Sequence, residues 1–160
     1  MVAQRRGQVV NVSSIGVLSN SPRFSAYVAS KAALEAFSRS AGAEVCDQGV
    51  QFTIVNLPLV RTPMIAPTRL YEHLPTIAPE EAAEMIVEAI IHRPVRVATR
   101  LGLFAQIVHL LAPRLSQLVM QAGYQMFPDS AAARGATTEA DVKPSAEGVA
   151  LTRLLKGLHW

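Results

Sequence analysis

Cysteine is nearly absent from this sequence, since Cys46 is the only one among its 160 residues. A single cysteine excludes an internal disulfide framework. No secretory signal is visible at the N-terminus, and proteins without disulfides are typical of reducing compartments. We therefore expect this chain in the cytoplasm.

Basic clusters and metal-ligand spacings are missing as well. Twelve arginines and three lysines give a formal net charge of +3, but they form no compact patch, so nucleic-acid binding is disfavoured. The histidines show no ligand spacing with one another or with Cys46; they are His73, His92, His109 and His159. We therefore expect no metal site.

Hydrophobic runs long enough to cross a bilayer are also lacking. The most apolar stretch, residues 101–112, lies between Arg100 and Pro113 and contains Gln106 and His109. A spanning helix needs about 20 consecutive apolar residues, so we expect no transmembrane segment. A packed amphipathic helix is the favoured interpretation, while contact with a membrane surface and a lining for an apolar substrate stay open.

The composition nevertheless favours a folded domain, because half of the residues are hydrophobic and only 17% are charged. Two short β-branched segments, residues 8–14 and 50–57, predict buried strands. A long helix is predicted between them, from Pro22 or Arg23 to Asp47. This strand–helix–strand order predicts a parallel crossover in an α/β sheet.

The rest of the chain continues the alternation of helix and strand. We predict a loop at 15–23, a loop at 64–77 with a helical piece at 69–73, a helix from Pro79 to His92, a strand at 95–99, and helices at 101–112 and 114–127 broken by Pro113. Residues 129–148, rich in Ala, Ser, Thr and Gly, predict a flexible linker. Residues 149–160 predict a short amphipathic segment.

Three side chains, Ser14, Tyr27 and Lys31, form the pattern that carries chemistry. Tyr27 and Lys31 are four residues apart on a predicted helix and share one face. A tyrosine phenol has a pKa near 10, and an ammonium about 4 Å away at an effective dielectric near 20 stabilises its ionised form by about 4 kcal/mol. Such a pair can exchange a proton with a carbonyl near neutral pH.

The alternative for each of these residues is an ordinary structural role. Ser14 could cap a strand end, Tyr27 could be half-buried, and Lys31 could be a solvated helix residue. Each alternative is favoured when the residue is taken alone. The ordered set of strand, serine, loop, and helix with tyrosine and lysine favours the catalytic interpretation.

Three motifs make the sequence resemble the short-chain dehydrogenase/reductase family over residues 7–98. They are Asn11-Val12-Ser13-Ser14, Tyr27-Val28-Ala29-Ser30-Lys31-Ala32-Ala33-Leu34 and Asn56-Leu57-Pro58-Leu59-Val60-Arg61-Thr62-Pro63-Met64. The resemblance implies that Tyr27 protonates a carbonyl oxygen while a nicotinamide delivers hydride. Lys31 would lower the pKa of Tyr27 and hold the nicotinamide ribose, and Ser14 would hydrogen-bond the substrate oxygen.

The third motif also implies contacts with a nicotinamide cofactor. We expect this cofactor to be NADP, with NAD as the alternative. Pro58, Val60 and Thr62 match the segment where this family meets the nicotinamide end. Leu59 departs from the glycine that commonly follows the proline in the family. That departure would narrow the cleft locally or shift the loop.

Residues 58–128 are similar to the reductase domain of bacterial long-chain fatty acyl-CoA reductases and related mycobacterial-type reductases. This resemblance implies a small-molecule carbonyl substrate with a long acyl chain, either a thioester or an aldehyde. The apolar helices within 101–128 would lie on the substrate side.

The glycine-rich nucleotide turn of the family is absent from these 160 residues. We therefore interpret residues 1–128 as the C-terminal part of a Rossmann-type, doubly wound parallel sheet with added helices. Dinucleotide binding needs the first strand–helix turn of such a sheet, so we expect poor binding by the chain alone, and either self-association or completion by another chain. The alternative function is a truncated, non-catalytic fragment that acts only through self-association or partner binding.

Overall fold

A computed structural model describes residues 1–63, 65, 74–126 and 150. Its strands are β1 Gly7–Ser14, β2 Val50–Leu57, β3 Leu59–Val60, β4 Thr76–Ile77 and β5 Arg96–Ala98. Its α-helices are α1 Ile15–Ser19, α2 Ser25–Val45, α3 Pro79–His92, α4 Arg100–Leu111 and α5 Pro113–Met126. Short 3-10 turns cover Val2–Gln4 and Cys46–Gln48.

The main sheet is parallel throughout and has the strand order β1-β2-β5. β1 pairs with β2 along its whole length, from Gly7 opposite Val50 to Ser14 opposite Leu57. α2 connects these two strands, which confirms the predicted α/β crossover. Among the strands that the structure describes, β1 lies at an edge of this sheet, as expected for a partial Rossmann-type fold.

Alternate side chains of β1 reach opposite faces of the sheet, as the pleat of a strand requires. Asn11 Nδ2 donates to Ser38 Oγ on α2 at 2.6 Å. Gln8 Nε2 donates to the Ala89 carbonyl on α3 at 2.9 Å. α2 and α3 therefore cover opposite faces of the sheet, the layer arrangement of doubly wound folds.

The start of α2 differs from the prediction. The helix begins at Ser25 and not at Pro22 or Arg23, because Arg23 has a φ of 69° in the left-handed region, where a right-handed helix cannot continue. The Arg23 guanidinium lies 4.1 Å from the centre of the Tyr124 ring, and its Nη2 donates to the Tyr124 carbonyl at 2.9 Å. These contacts stabilise the turn and tie it to α5.

The two predicted loops each contain a short element. Residues 15–19 form α1. A helix of five residues with Gly16 near its start is too short to show a helical periodicity in the sequence, so α1 was not predicted. Thr76–Ile77 forms β4, which pairs in parallel with Leu59–Val60. Two-residue strands are equally too short to produce an alternating pattern.

The predicted elements after residue 78 are confirmed with small shifts. Two acids open α3, and the Ala78 N–H donates to Glu81 Oε2 at 2.6 Å, so the prediction from Pro79-Glu80-Glu81 holds. α4 and α5 are separated at Pro113, which is the first residue of α5, where its missing N–H costs nothing.

Some predictions fall outside the residues that the structure describes. They are the helical piece at 69–73, the linker at 129–148 and, except for the helical residue 150, the amphipathic segment at 149–160. The domain boundaries at 128 and 148 therefore stay predictions.

Candidate active site

Ser14 is the last residue of β1 and lies at the carboxyl edge of the parallel sheet. Its Oγ caps α1 by accepting from the Gly16 N–H at 3.1 Å, and its carbonyl accepts from Asn56 Nδ2 at 3.1 Å. Within the described part of the chain, nothing accepts a hydrogen bond from the Ser14 hydroxyl. The hydroxyl proton is therefore available to an oxygen of a bound molecule.

The first two turns of α2 carry the other two predicted catalytic residues. Tyr27 is 40% exposed. Lys31 Nζ lies 6.0 Å from the centre of the Tyr27 ring and donates to the Val12 carbonyl of β1 at 2.9 Å. An ammonium has three donors, so Lys31 joins α2 to β1 and keeps two N–H groups for other partners.

Gly16 shows how close α2 comes to the Ser14 turn. A Cβ built on Gly16 would stand 3.4 Å from Ser14 Oγ and 3.7 Å from Cγ2 of Val28, which follows Tyr27 in the chain. The structure thus brings Tyr27 and Lys31 together and holds the start of α2 against the Ser14 turn. The catalytic role of each residue stays a prediction.

The segment predicted to contact the cofactor lies beyond the carboxyl end of β2. Val60 is part of β3 opposite Ile77, and the Thr62 carbonyl accepts from the Ile65 N–H at 3.1 Å. Leu59 pairs with Thr76, so the residue that departs from the family pattern is held in a strand. Pro58, Val60 and Thr62 share the sheet edge of Ser14, but among the described residues no hydrogen bond joins them to Tyr27 or Lys31.

A buried ionic cluster beneath this edge was missed by the sequence analysis. We call it the Glu35 cluster, and it consists of Ser13, Glu35, Asn56 and Arg96. Glu35 is only 2% exposed. Its Oε1 accepts from Ser13 Oγ and from Asn56 Nδ2, both at 2.6 Å, and its Oε2 pairs with Arg96 Nη2 at 3.0 Å.

The Glu35 cluster links the helix of Tyr27 and Lys31 to all three strands of the main sheet. Asn56 donates to both the Glu35 carboxylate and the Ser14 carbonyl, so it connects the cluster directly to the end of β1. Two buried atoms, Asn56 Oδ1 and Arg96 Nη1, have no hydrogen-bond partner within the described part of the chain. The signal available in the sequence was a lone acid in Ala32-Ala33-Leu34-Glu35-Ala36, four residues after Lys31.

The apolar helices α4 and α5 flank the same edge. α4 packs closely on α1, because a Cβ on Gly102 would stand 3.0 Å from both Ile15 and Leu18. The far end of α5 is tied by Tyr124 to Arg23, just before α2. Both helices are therefore neighbours of the segments that present Ser14 and Tyr27. Their position on the substrate side stays a prediction.

Among the residues that the structure describes, no group of three or more His, Cys, Asp or Glu side chains could hold a metal ion.

Comparison with known families and curated proteins gives consistent matches. Residues 1–72 match the family described as short chain dehydrogenase. A fatty acyl-CoA reductase of Acinetobacter baylyi is 49% identical over 160 residues, which are 100% of this chain and 53% of that protein. A fatty acyl-CoA reductase of Mycobacterium tuberculosis is 46% identical over 122 residues, 76% of this chain and 42% of that protein.

An uncharacterized oxidoreductase of Mycobacterium tuberculosis is 41% identical over 155 residues, which are 96% of this chain and 46% of that protein. Among solved structures, a short-chain dehydrogenase from Streptomyces avermitilis superposes with a TM-score of 0.58 at 28% identity, covering 78% of this chain and 54% of that one. The chain spans about half the length of the curated relatives it matches. These matches give no support to the alternative of a fragment that acts only through association.

Proposed function

Because this chain belongs to the short-chain dehydrogenase/reductase family, a family of NAD(P)-dependent oxidoreductases, we propose that it reduces the carbonyl of a long-chain fatty acyl-CoA or aldehyde with NADPH. The observation that carries the proposal is the position of Lys31, between the Tyr27 ring and the end of β1. The substrate class is taken from the relatives named fatty acyl-CoA reductase.

The carboxyl edge of the sheet fits the nicotinamide end of the cofactor. Ligands of open α/β sheets bind outside the carboxyl ends of their strands, where Ser14, Pro58, Val60 and Thr62 lie. Lys31, with two N–H groups beyond its bond to Val12, would hold ribose hydroxyls, and Val60 and Thr62 would meet the nicotinamide. When bound, the cofactor supplies a hydride to the substrate carbon.

These 160 residues contain no glycine-rich turn that could bind the pyrophosphate end of the cofactor. We propose that another segment or chain supplies that turn and pairs with the edge strand β1. An edge strand presents unpaired N–H and C=O groups that accept a further strand. NADP is the proposed coenzyme, with NAD as the alternative.

Ser14 and Tyr27 act together on the substrate oxygen in the proposed mechanism. The free Ser14 hydroxyl donates a hydrogen bond to the carbonyl oxygen and orients it. Tyr27 gives its phenolic proton to that oxygen as hydride reaches the carbon. The positive charge of Lys31 stabilises the negative charge left on Tyr27.

A thioester substrate requires one more step than an aldehyde. After hydride and proton addition, the carbon–sulfur bond breaks and the proton on the oxygen passes to the leaving sulfur. The products are the aldehyde, the free thiol and oxidised cofactor. With an aldehyde substrate, the reaction is complete after hydride and proton addition, and the product is the alcohol.

The proposal is tested by following NADPH consumption with long-chain and short-chain acyl-CoA thioesters and identifying the products by mass spectrometry. The assay uses this chain alone and this chain mixed with the part of the Acinetobacter relative that it does not cover. We expect reduction of the long-chain thioester in at least one of these samples, and weaker reduction of the short-chain one. Absence of NADPH-dependent reduction from both samples, with folded protein, would overturn the proposal.

Lys31 provides a further prediction at the cofactor side. Lys31→Met removes the ammonium that bonds the Val12 carbonyl and that would bond the ribose. A hydrogen bond to a charged group contributes about 1.5–3 kcal/mol, so we expect KM for NADPH to rise about 10- to 150-fold. Steady-state kinetics at varied NADPH measure this. Arg39→Met, which removes an exposed cation two turns further along α2, should leave KM unchanged, and an equal rise in both variants would contradict the assignment.

A further inference from the structure

The outward face of α4 exposes an unusual number of large apolar side chains. They are Leu103, Phe104, Ile107, Leu110 and Leu111, each at least 40% exposed. Positions 103, 104, 107, 110 and 111 follow the spacing of one helical face. Soluble monomers rarely expose large contiguous apolar patches, and such patches mark sites of association with proteins or membranes.

α5 continues this surface with the same character. Leu115 and Leu118 are 55% and 63% exposed, while Ser116 on the other side of the helix is buried. α4 and α5 pack against each other. We call the exposed apolar side chains of the two helices the α4–α5 face.

The charges around the α4–α5 face have one sign. Residues 100–126 contain no aspartate or glutamate, whereas Arg100 and Arg114 are exposed at the first turns of α4 and α5. Neither arginine forms an ion pair with a described residue. Helix α3, in contrast, contains Glu80, Glu81, Glu84 and Glu88. Exposed apolar side chains therefore occur with basic residues and without acids on α4 and α5, whereas on α3 they occur together with acids.

We propose that the α4–α5 face binds the surface of a membrane that contains anionic lipids. Apolar side chains would enter the headgroup–acyl boundary, and Arg100 and Arg114 would contact lipid phosphates. This combination is the one by which helices lie in a membrane interface. No described helix has the length and hydrophobicity to cross a bilayer, so contact at the surface is the mode that these helices allow.

The α4–α5 face lies near the candidate site, so membrane binding would place that site close to the lipid. α4 packs on α1, which begins directly after Ser14, and α5 reaches Arg23 just before α2. A long acyl chain could therefore pass from the lipid to the carboxyl edge of the sheet without crossing water. This part of the inference rests on the proposed function, whereas membrane binding itself does not.

The test is co-sedimentation of the purified chain with vesicles of phosphatidylcholine alone and of phosphatidylcholine mixed with phosphatidylglycerol. Leu110→Glu/Leu111→Glu alters the two most exposed large apolar side chains of α4, at 71% and 81%. We expect this double variant to bind the mixed vesicles at least tenfold more weakly. Ile91→Glu, at an apolar position of α3 that is 61% exposed, is the matched control and should bind like the parent.

Arg100→Gln/Arg114→Gln separates the charge from the apolar contact. Each basic residue near an anionic surface contributes about fivefold in affinity, so we expect a loss of at least tenfold on mixed vesicles. The difference in vesicle affinity between the parent and this variant should be smaller on phosphatidylcholine vesicles and at high salt. Circular dichroism checks that the variants are folded.

Two outcomes would overturn the inference. One is equal vesicle binding by the parent and the leucine variant. The other is no vesicle binding together with a concentration-dependent dimer that the leucine variant abolishes, which would assign the face to a second copy of the chain. Neither outcome depends on NADPH or on turnover, so failure here is distinguishable from failure of the proposed reductase function.

Discussion

Replacing Tyr27 with phenylalanine is expected to lower kcat by about 10²- to 10⁴-fold, the range that a positioned general acid contributes. The substitution removes only the phenolic oxygen and leaves the ring, which lies 6.0 Å from Lys31 Nζ. Tyr27 is exposed on the first turn of α2, so the fold should be unaffected. The KM values should change much less than kcat, because the lost proton transfer occurs only in the transition state.

Tyr124→Phe is the matched control for this experiment. Tyr124 contacts Arg23 through its ring and its carbonyl, both of which phenylalanine retains, so kcat should stay within a factor of two or so of the parent. NADPH consumption with a long-chain acyl-CoA measures both variants. A Tyr27→Phe variant with parental kcat would contradict the role of Tyr27 as proton donor.

Replacing Glu35 with alanine is expected to lower the free energy of unfolding by about 3–5 kcal/mol, because breaking a buried ion pair leaves an uncompensated charge. The carboxylate is 3% exposed and its partner Arg96 is 22% exposed. The substitution also removes the acceptor of the bonds from Ser13 and Asn56. Denaturation by urea, followed by circular dichroism, measures the loss.

Arg39→Ala provides the control, because Arg39 lies 3.6 Å from the same carboxylate but is 57% exposed. Exposed ion pairs contribute about 0–1 kcal/mol, so the free energy of unfolding of this variant should be close to that of the parent. Removing both charges in Glu35→Leu/Arg96→Leu should cost less than the sum of the two single substitutions. A Glu35→Ala loss as small as that of Arg39→Ala would show that the carboxylate is not buried in the pair.

The sequence was sufficient to predict the elements that are long and periodic. β1, β2, α3, α4 and α5 follow from apolar periodicity and from the prolines at their boundaries. The parallel pairing of β1 and β2 followed from the long helix between them, because a parallel pair needs a crossover. The proximity of Tyr27 and Lys31 followed from their spacing on one helix.

The elements that were missed depend on interactions between distant residues. The start of α2 is set by Arg23, whose left-handed backbone conformation is supported by contacts with Tyr124, about a hundred residues away in the chain. β3 and β4 are too short to show a pattern. The Glu35 cluster joins residues from three strands and one helix, so a single buried acid gave no indication of its partners before the sheet order was known.

Transfer of deuterium from the cofactor to the product tests directly whether this chain catalyses hydride transfer to a carbonyl. NADPH labelled at the reactive carbon of its nicotinamide is supplied with a long-chain acyl-CoA to the chain, alone and mixed with the complementary part of the Acinetobacter relative. We expect an aldehyde or alcohol product with deuterium on the former carbonyl carbon, and a loss of this product in Tyr27→Phe. A product without deuterium, such as the fatty acid from thioester hydrolysis, would contradict hydride transfer to the carbonyl carbon.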